Sequence, residues 1–140
     1  MSVDQEKIRQ KLHFIRENLD RLEQFKGMET ENLKSDHIKE AAAIRMLQVV
    51  IEAVLDICSH VISREGWGLP KSYLETVELA VQNGLIPREM AQEYKNMAKF
   101  RNRVVHLYDK VDTEELLEII NFNLDDFKPF ISNVLNRYMS

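Results

Sequence analysis

The sequence predicts an all-α protein, a bundle of four long helices plus one short helix. Three observations carry this reading. Apolar residues recur at steps of three and four, the spacing that lines one face of a helix. Only four glycines and three prolines interrupt 140 residues, so long stretches are free of helix breakers. No segment alternates apolar and polar residues as a half-buried strand would.

The first helix is expected over residues 4–26, where Ile8, Leu12, Ile15, Leu19 and Leu22 step by 4, 3, 4 and 3. Asp4 opens it and Gly27 closes it. The segment GMETENLKSD reads as a loop, with Ser35 or Asp36 as the next N-cap. From His37 to Ser63 the chain is alanine-rich and apolar nearly all round, which marks the central, most buried helix. GWGLP breaks it, and KSYLETVELAVQN at 71–83 forms the short helix, with Gly84 at C′. Pro87 suits the first residue of the next helix, which runs to Tyr108. Thr113, followed by Glu114 and Glu115, opens a last helix reaching about Tyr138, with a kink expected at Pro129.

The length fits one domain over residues 1–140. A chain of this size buries roughly 68–70% of its unfolded surface, so it needs neither disulfides nor a structural metal. Hydrophobic residues make up 44% and charged residues 30%, a soluble globular balance. The lone cysteine, Cys58, lies in an apolar run and reads as a small buried hydrophobe. The N-terminus is charged and has no apolar core of a signal peptide. No run approaches the ~20 apolar residues of a membrane span, and a cytoplasmic location is expected.

A net charge of −4 disfavours a general nucleic-acid coat, because such binding rests on neutralising phosphates. The charge is uneven, however. Residues 99–110, KFRNRVVHLYDK, carry Lys99, Arg101, Arg103 and Lys110 against Asp109 alone. On a helix, Met97, Phe100, Val104 and Leu107 form an apolar stripe. Arg101 and Tyr108 project from almost one side, and Asn102 and His106 stack on an adjacent face. All four polar groups can share a cleft. The chain has no Gly-rich phosphate loop, no carboxylate pair suited to glycoside hydrolysis and no zinc-type Cys/His spacing. Arginine with histidine suits a phosphate ester. Histidine moves protons near neutral pH, and the arginine fork matches phosphate oxygens and the charge that builds in the transition state. RNA brings its own nucleophile, the 2′-hydroxyl.

An arginine followed five residues later by a histidine arises by chance in roughly one protein in seven of this length. Adding the asparagine and the tyrosine lowers that to on the order of one in several thousand. Arg101-Asn102-x-x-x-His106-x-Tyr108 resembles the signature of HEPN domains, and of the HepT toxin family in particular. AAIRMLQVVIEAVLDICSHVI is similar to that family's long second helix, GWGLPKSYLETVELAVQNGLIP to its turn and short helix, and AKFRNRVVHLYDKVD to its motif helix. The resemblance implies a HEPN-type bundle that dimerises with two motif helices facing a shared cleft. It implies a metal-independent ribonuclease toxin, without a cofactor, paired with a minimal nucleotidyltransferase (MntA-like) antitoxin. Carried over, Arg101 and His106 are catalytic, Asn102 orients the site, and Tyr108 is the hydroxyl that the antitoxin adenylylates to silence the toxin. The alternative is a non-catalytic HEPN binding module that partners a nucleotidyltransferase.

Asp56 and His60 lie four apart on the central helix and have two readings. They satisfy each other, or Asp56 approaches Arg101 or His106 and supports it. Arg45 reads as a partner for an acidic side chain, and His13 and His37 as surface residues. Trp67 reads as a plug at the bundle end or a dimer seam, with RNA stacking as the other option. Met46, Met90 and Met97 read as core fillers.

Overall fold

The computed structural model describes residues 2–106 and 111–139 of the chain. Helix α1 spans Gln5–Leu22 and is capped by Asp4, whose side chain accepts from the Lys7 N–H at 3.1 Å. Its apolar stripe buries Ile8, Leu12, Ile15 and Leu22. A 3₁₀ turn, Glu23–Phe25, leads to Gly27, where the backbone turns at φ 81°. Helix α3, His37–Glu65, is 29 residues long, or about 44 Å at 1.5 Å per residue. Asp36 caps it, and it ends at Gly66 in the left-handed conformation, φ 70°. Eleven of its side chains are buried, from Ala43 to Ile62, because α1 and three further helices pack on it.

Two expected elements differ. The segment expected to be a loop contains a one-turn helix, α2, Thr30–Lys34. It is held by one anchor, the fully buried Leu33, and a single apolar residue leaves no periodicity to recognise. The long last helix is two helices, α6 (Thr113–Phe122) and α7 (Phe127–Tyr138), joined by a 3₁₀ turn at Leu124–Asp126. The break falls at Asn123, whose amide side chain donates to Asp126 at 2.8 Å. Pro129 causes no kink. It occupies the first turn of α7, where a missing N–H has no intrahelical acceptor to lose.

Helix α4 spans Tyr73–Gln82 and is capped by Ser72. Gly84 follows at φ 77°. Pro87 precedes a 3₁₀ turn, Arg88–Met90, and α5 then covers Ala91–His106. Tyr94 fixes α5 to the α6–α7 corner. Its ring lies 6.0 Å from Phe127 and 6.3 Å from Phe130, and its hydroxyl donates to the Asp126 carbonyl at 2.8 Å. Burial pushes that hydroxyl's pKa up and keeps it a donor. Among the described residues no helix is long and apolar enough to cross a membrane.

Candidate functional site

The C-terminal half of α5 carries the arginine–histidine motif. Met97, Phe100 and Val104 bury the apolar stripe against the core, and this rotation sets the direction of the polar residues between them. Arg103 turns to α6 and pairs with Glu115. Arg101 turns the other way, toward α3 and α4. Its Nε donates to Glu52 on α3 at 2.8 Å, and its Nη1 lies 3.4 Å from the Asn102 side-chain oxygen. Its guanidinium carbon sits 4.8 Å from the centre of the Tyr73 ring on α4. The side chains of Arg101 and Glu52 are only 17% and 26% exposed, so water screens the pair weakly. Among the described residues Nη2 has no acceptor. The fork is therefore anchored along its Nε edge and open at its tip.

Arg101, Asn102 and His106 line one open cleft of about 650 Å³ between α3, α4 and α5. His106 is exposed at its edge. The other walls are Ser59, Ile62 and Ser63 from α3, the segment Gly68–Ser72, and Tyr73 and Thr76 from α4. Among the described residues no aspartate or glutamate lines this cleft. Three other surface clefts are all acid-bearing: Glu93, Glu115 and Glu118 line one, Asp20, Glu23 and Asp125 a second, and Glu31 and Glu40 a third. In a protein of net charge −4, a cleft whose described lining holds arginine, lysine and histidine and no carboxylate selects for an anion. Tyr108 lies outside the described residues. Among those described, no three His, Cys, Asp or Glu side chains gather as metal ligands.

Asp56 takes a different place from the one expected of a supporting group. Its carboxylate holds Lys11 of α1 at 3.0 Å, and the carboxylate that meets Arg101 is Glu52, one turn earlier on α3. Nor do Asp56 and His60 satisfy each other. His60 Nε2 accepts the Asp4 N–H at 2.8 Å, so both residues clamp the N-terminal segment to α3. Glu52 and Tyr73 are the two site residues that sequence reasoning passed over. A signal for Glu52 existed: it is the single charge in the run MLQVVIEAVL, and a charge inside a buried stretch implies a partner. Tyr73 carries no such signal. Trp67 packs partly buried against the core beneath Arg137, 5.5 Å from ring centre to guanidinium carbon, which matches a plug at the bundle end. His13 and His37 are exposed, Arg45 is exposed, and Met97 is a core residue.

Helix order and site geometry together define a HEPN-type bundle with a cationic cleft. A Shewanella oneidensis HEPN toxin, tri-AMPylated and in complex with its MNT antitoxin, superposes with a TM-score of 0.83 at 27% identity, covering 94% of this chain and 98% of that one. A cytosolic protein of Bacillus subtilis shares the fold at a TM-score of 0.80 and 23% identity, covering 100% and 97%. The model of the ribonuclease HepT-like family matches residues 15–134, and the chain belongs to that family. Among curated relatives it is 29% identical over 121 residues to the mRNA nuclease HepT of Shewanella oneidensis, covering 86% of this chain and 90% of the relative. It is 28% identical over 133 residues to the tRNA nuclease HepT of Aphanizomenon flos-aquae, covering 94% and 89%.

Proposed function

We propose that this chain is the toxin of a HEPN/nucleotidyltransferase pair, a cytoplasmic endoribonuclease that works without a metal ion. The observation that carries the reading is the convergence of Arg101, Asn102 and His106 on a cleft that no carboxylate lines among the described residues. The RNA 2′-hydroxyl attacks the adjacent phosphorus, the bond to the 5′-oxygen breaks, and a 2′,3′-cyclic phosphate and a 5′-hydroxyl result. His106 handles the proton of the attacking or the leaving oxygen. The open tip of Arg101 binds the non-bridging oxygens and neutralises the charge that accumulates on them. Asn102, next to Arg101, holds the guanidinium in register. Glu52 and Tyr73 position that fork from the two facing helices.

Two copies acting as a homodimer bring two such motif helices to one cleft. The antitoxin is a minimal nucleotidyltransferase, and Tyr108 is the hydroxyl it adenylylates. An added phosphate and adenosine two residues beyond His106 would fill the space the RNA needs. The AMPylated state of the Shewanella complex supports this reading.

The test is cleavage of a defined RNA in the presence of EDTA. His106→Ala and Arg101→Ala are each expected to lower the rate by at least ~100-fold, the lower end of general acid–base contributions. Rates equal to wild type in both variants would remove Arg101 and His106 from catalysis, and a wild-type protein that cleaves no RNA would leave a non-catalytic module that partners the nucleotidyltransferase. Incubation with the antitoxin and ATP should add AMP mass to wild type and none to Tyr108→Phe.

A further inference from the structure

The cleft extends well past the motif residues. Its far rim is the segment Gly68–Ser72, which joins α3 to α4. This rim is fixed at both ends. At Gly68 (φ 147°) an added Cβ would come 3.2 Å from Leu79 Cδ1, so the backbone lies close against α4. At the other end the Ser72 hydroxyl accepts the Glu75 N–H at 3.2 Å, and the Glu75 carboxylate accepts the Lys71 N–H at 3.2 Å. That is a reciprocal cap of the kind that rigidifies a helix start.

On this rigid rim stand two residues the bundle does not use. Leu69 is 91% exposed, the most exposed large hydrophobic side chain among the described residues. Lys71 is exposed, and no carboxylate pairs with its ammonium among the described residues. Both border the same cleft as Arg101 and His106. An unpaired cation and an unpartnered apolar surface, held rigidly at the edge of a cleft that no carboxylate lines among the described residues, match the two faces of a nucleotide, phosphate and base.

We propose that Lys71 and Leu69 form a second nucleotide subsite, which rests on the ribonuclease reading above. Lys71 takes the phosphate next to the one that reacts, and Leu69 with Pro70 supports the flanking base. The substrate class is single-stranded RNA that spans at least two phosphates. A duplex keeps its base faces stacked and offers none to Leu69, whereas a single strand exposes them.

The experiment uses the full chain and a fluorescent tetranucleotide with 2′-O-methyl sugars, which lacks the attacking hydroxyl and so reports binding alone. Lys71→Ala should weaken binding about fivefold at low salt and flatten the plot of log affinity against log salt by about 0.7, one phosphate contact on a single strand. Leu69→Ser should weaken binding without changing that slope. In cleavage of unmodified RNA, Lys71→Ala should lower the preference, in kcat/KM, for a tetranucleotide over a dinucleotide. Both side chains are exposed, so neither change threatens folding. Wild-type affinity and slope in Lys71→Ala overturn the subsite. Full binding in Leu69→Ser together with loss of antitoxin binding makes the rim a protein contact and overturns it as well. If Arg101→Ala cleaves like wild type while Lys71→Ala still loses affinity, the catalytic assignment fails and the subsite stands. A wild-type protein that does not bind the tetranucleotide overturns both.

Discussion

The ion pair between Arg101 and Glu52 lends itself to a quantitative test. At the ~4 Å charge separation of a hydrogen-bonded pair and an effective dielectric near 20, two unit charges attract by about 4 kcal/mol. Desolvation of the two groups offsets much of this, but both side chains keep some contact with water, at 17% and 26% exposure. A net coupling of ~1–2 kcal/mol remains. For 140 residues at ~2.1 cal/mol/K per residue, the unfolding entropy is about 0.3 kcal/mol/K. Glu52→Ala should then lower Tm by about 5 °C, because it strands a half-buried guanidinium. Arg101→Ala should cost a similar amount by stranding the carboxylate. The double variant should be more stable than the sum of the two losses by ~1–2 kcal/mol, read from urea denaturation followed by circular dichroism. Additivity to within ~0.3 kcal/mol would refute the coupling and, with it, the claim that Glu52 orients the fork. Glu52→Gln keeps an acceptor of the same shape, so it should recover part of the stability lost in Glu52→Ala.

Two further outcomes follow from groups away from the cleft. Burial lowers the pKa of His60, with Lys7 and Arg64 adding to the effect and Asp4 opposing it, and Nε2 must be unprotonated to accept the Asp4 N–H. The folded state thus binds fewer protons than the unfolded one below the ordinary histidine value of ~6.5. Stability from this contact is present above that pH and is lost as pH falls through the lower folded value, so Tm should drop between about pH 7 and pH 5. The drop should be shallower in His60→Gln, and an unchanged pH profile in that variant would contradict the assignment. Burial also pushes the Cys58 thiol far up. A thiol reagent at pH 8 should label it only on the timescale of unfolding, and labelling of native protein within seconds would contradict its burial.

How far the sequence could be read depended on whether a feature is local. The α1 stripe, the Asp4 and Asp36 caps and the left-handed ends at Gly66 and Gly84 depend on side-chain period and on residues that cap or turn a backbone. Each can be seen within a few positions of the chain. The apolar stripe of α5 is equally local, and it separates Arg101 from Arg103 before any neighbour is known. The long α6–α7 span misled for the opposite reason. Its apolar residues keep helical spacing across Asn123, and only packing of Phe127 and Phe130 against Tyr94 makes the chain turn there rather than at Pro129.

The partners of the site residues were out of reach of sequence. Glu52 and Asp56 both fall on α3 one turn apart, but one meets Arg101 and the other Lys11. The choice is made by the angles at which α1 and α5 cross α3, and those angles come from the fit of whole helix faces. The Tyr73 ring reaches Arg101 only because α4 folds back across α3, and the rim at Leu69 and Lys71 exists only where that return leaves a cleft. The sequence alone determined helices α1, α3, α4 and α5, the faces they bury and the residue types α5 presents. Pairing, cleft shape and which of the described residues line the cleft were decided by tertiary structure, because they depend on residues tens of positions apart that meet only once the core has packed.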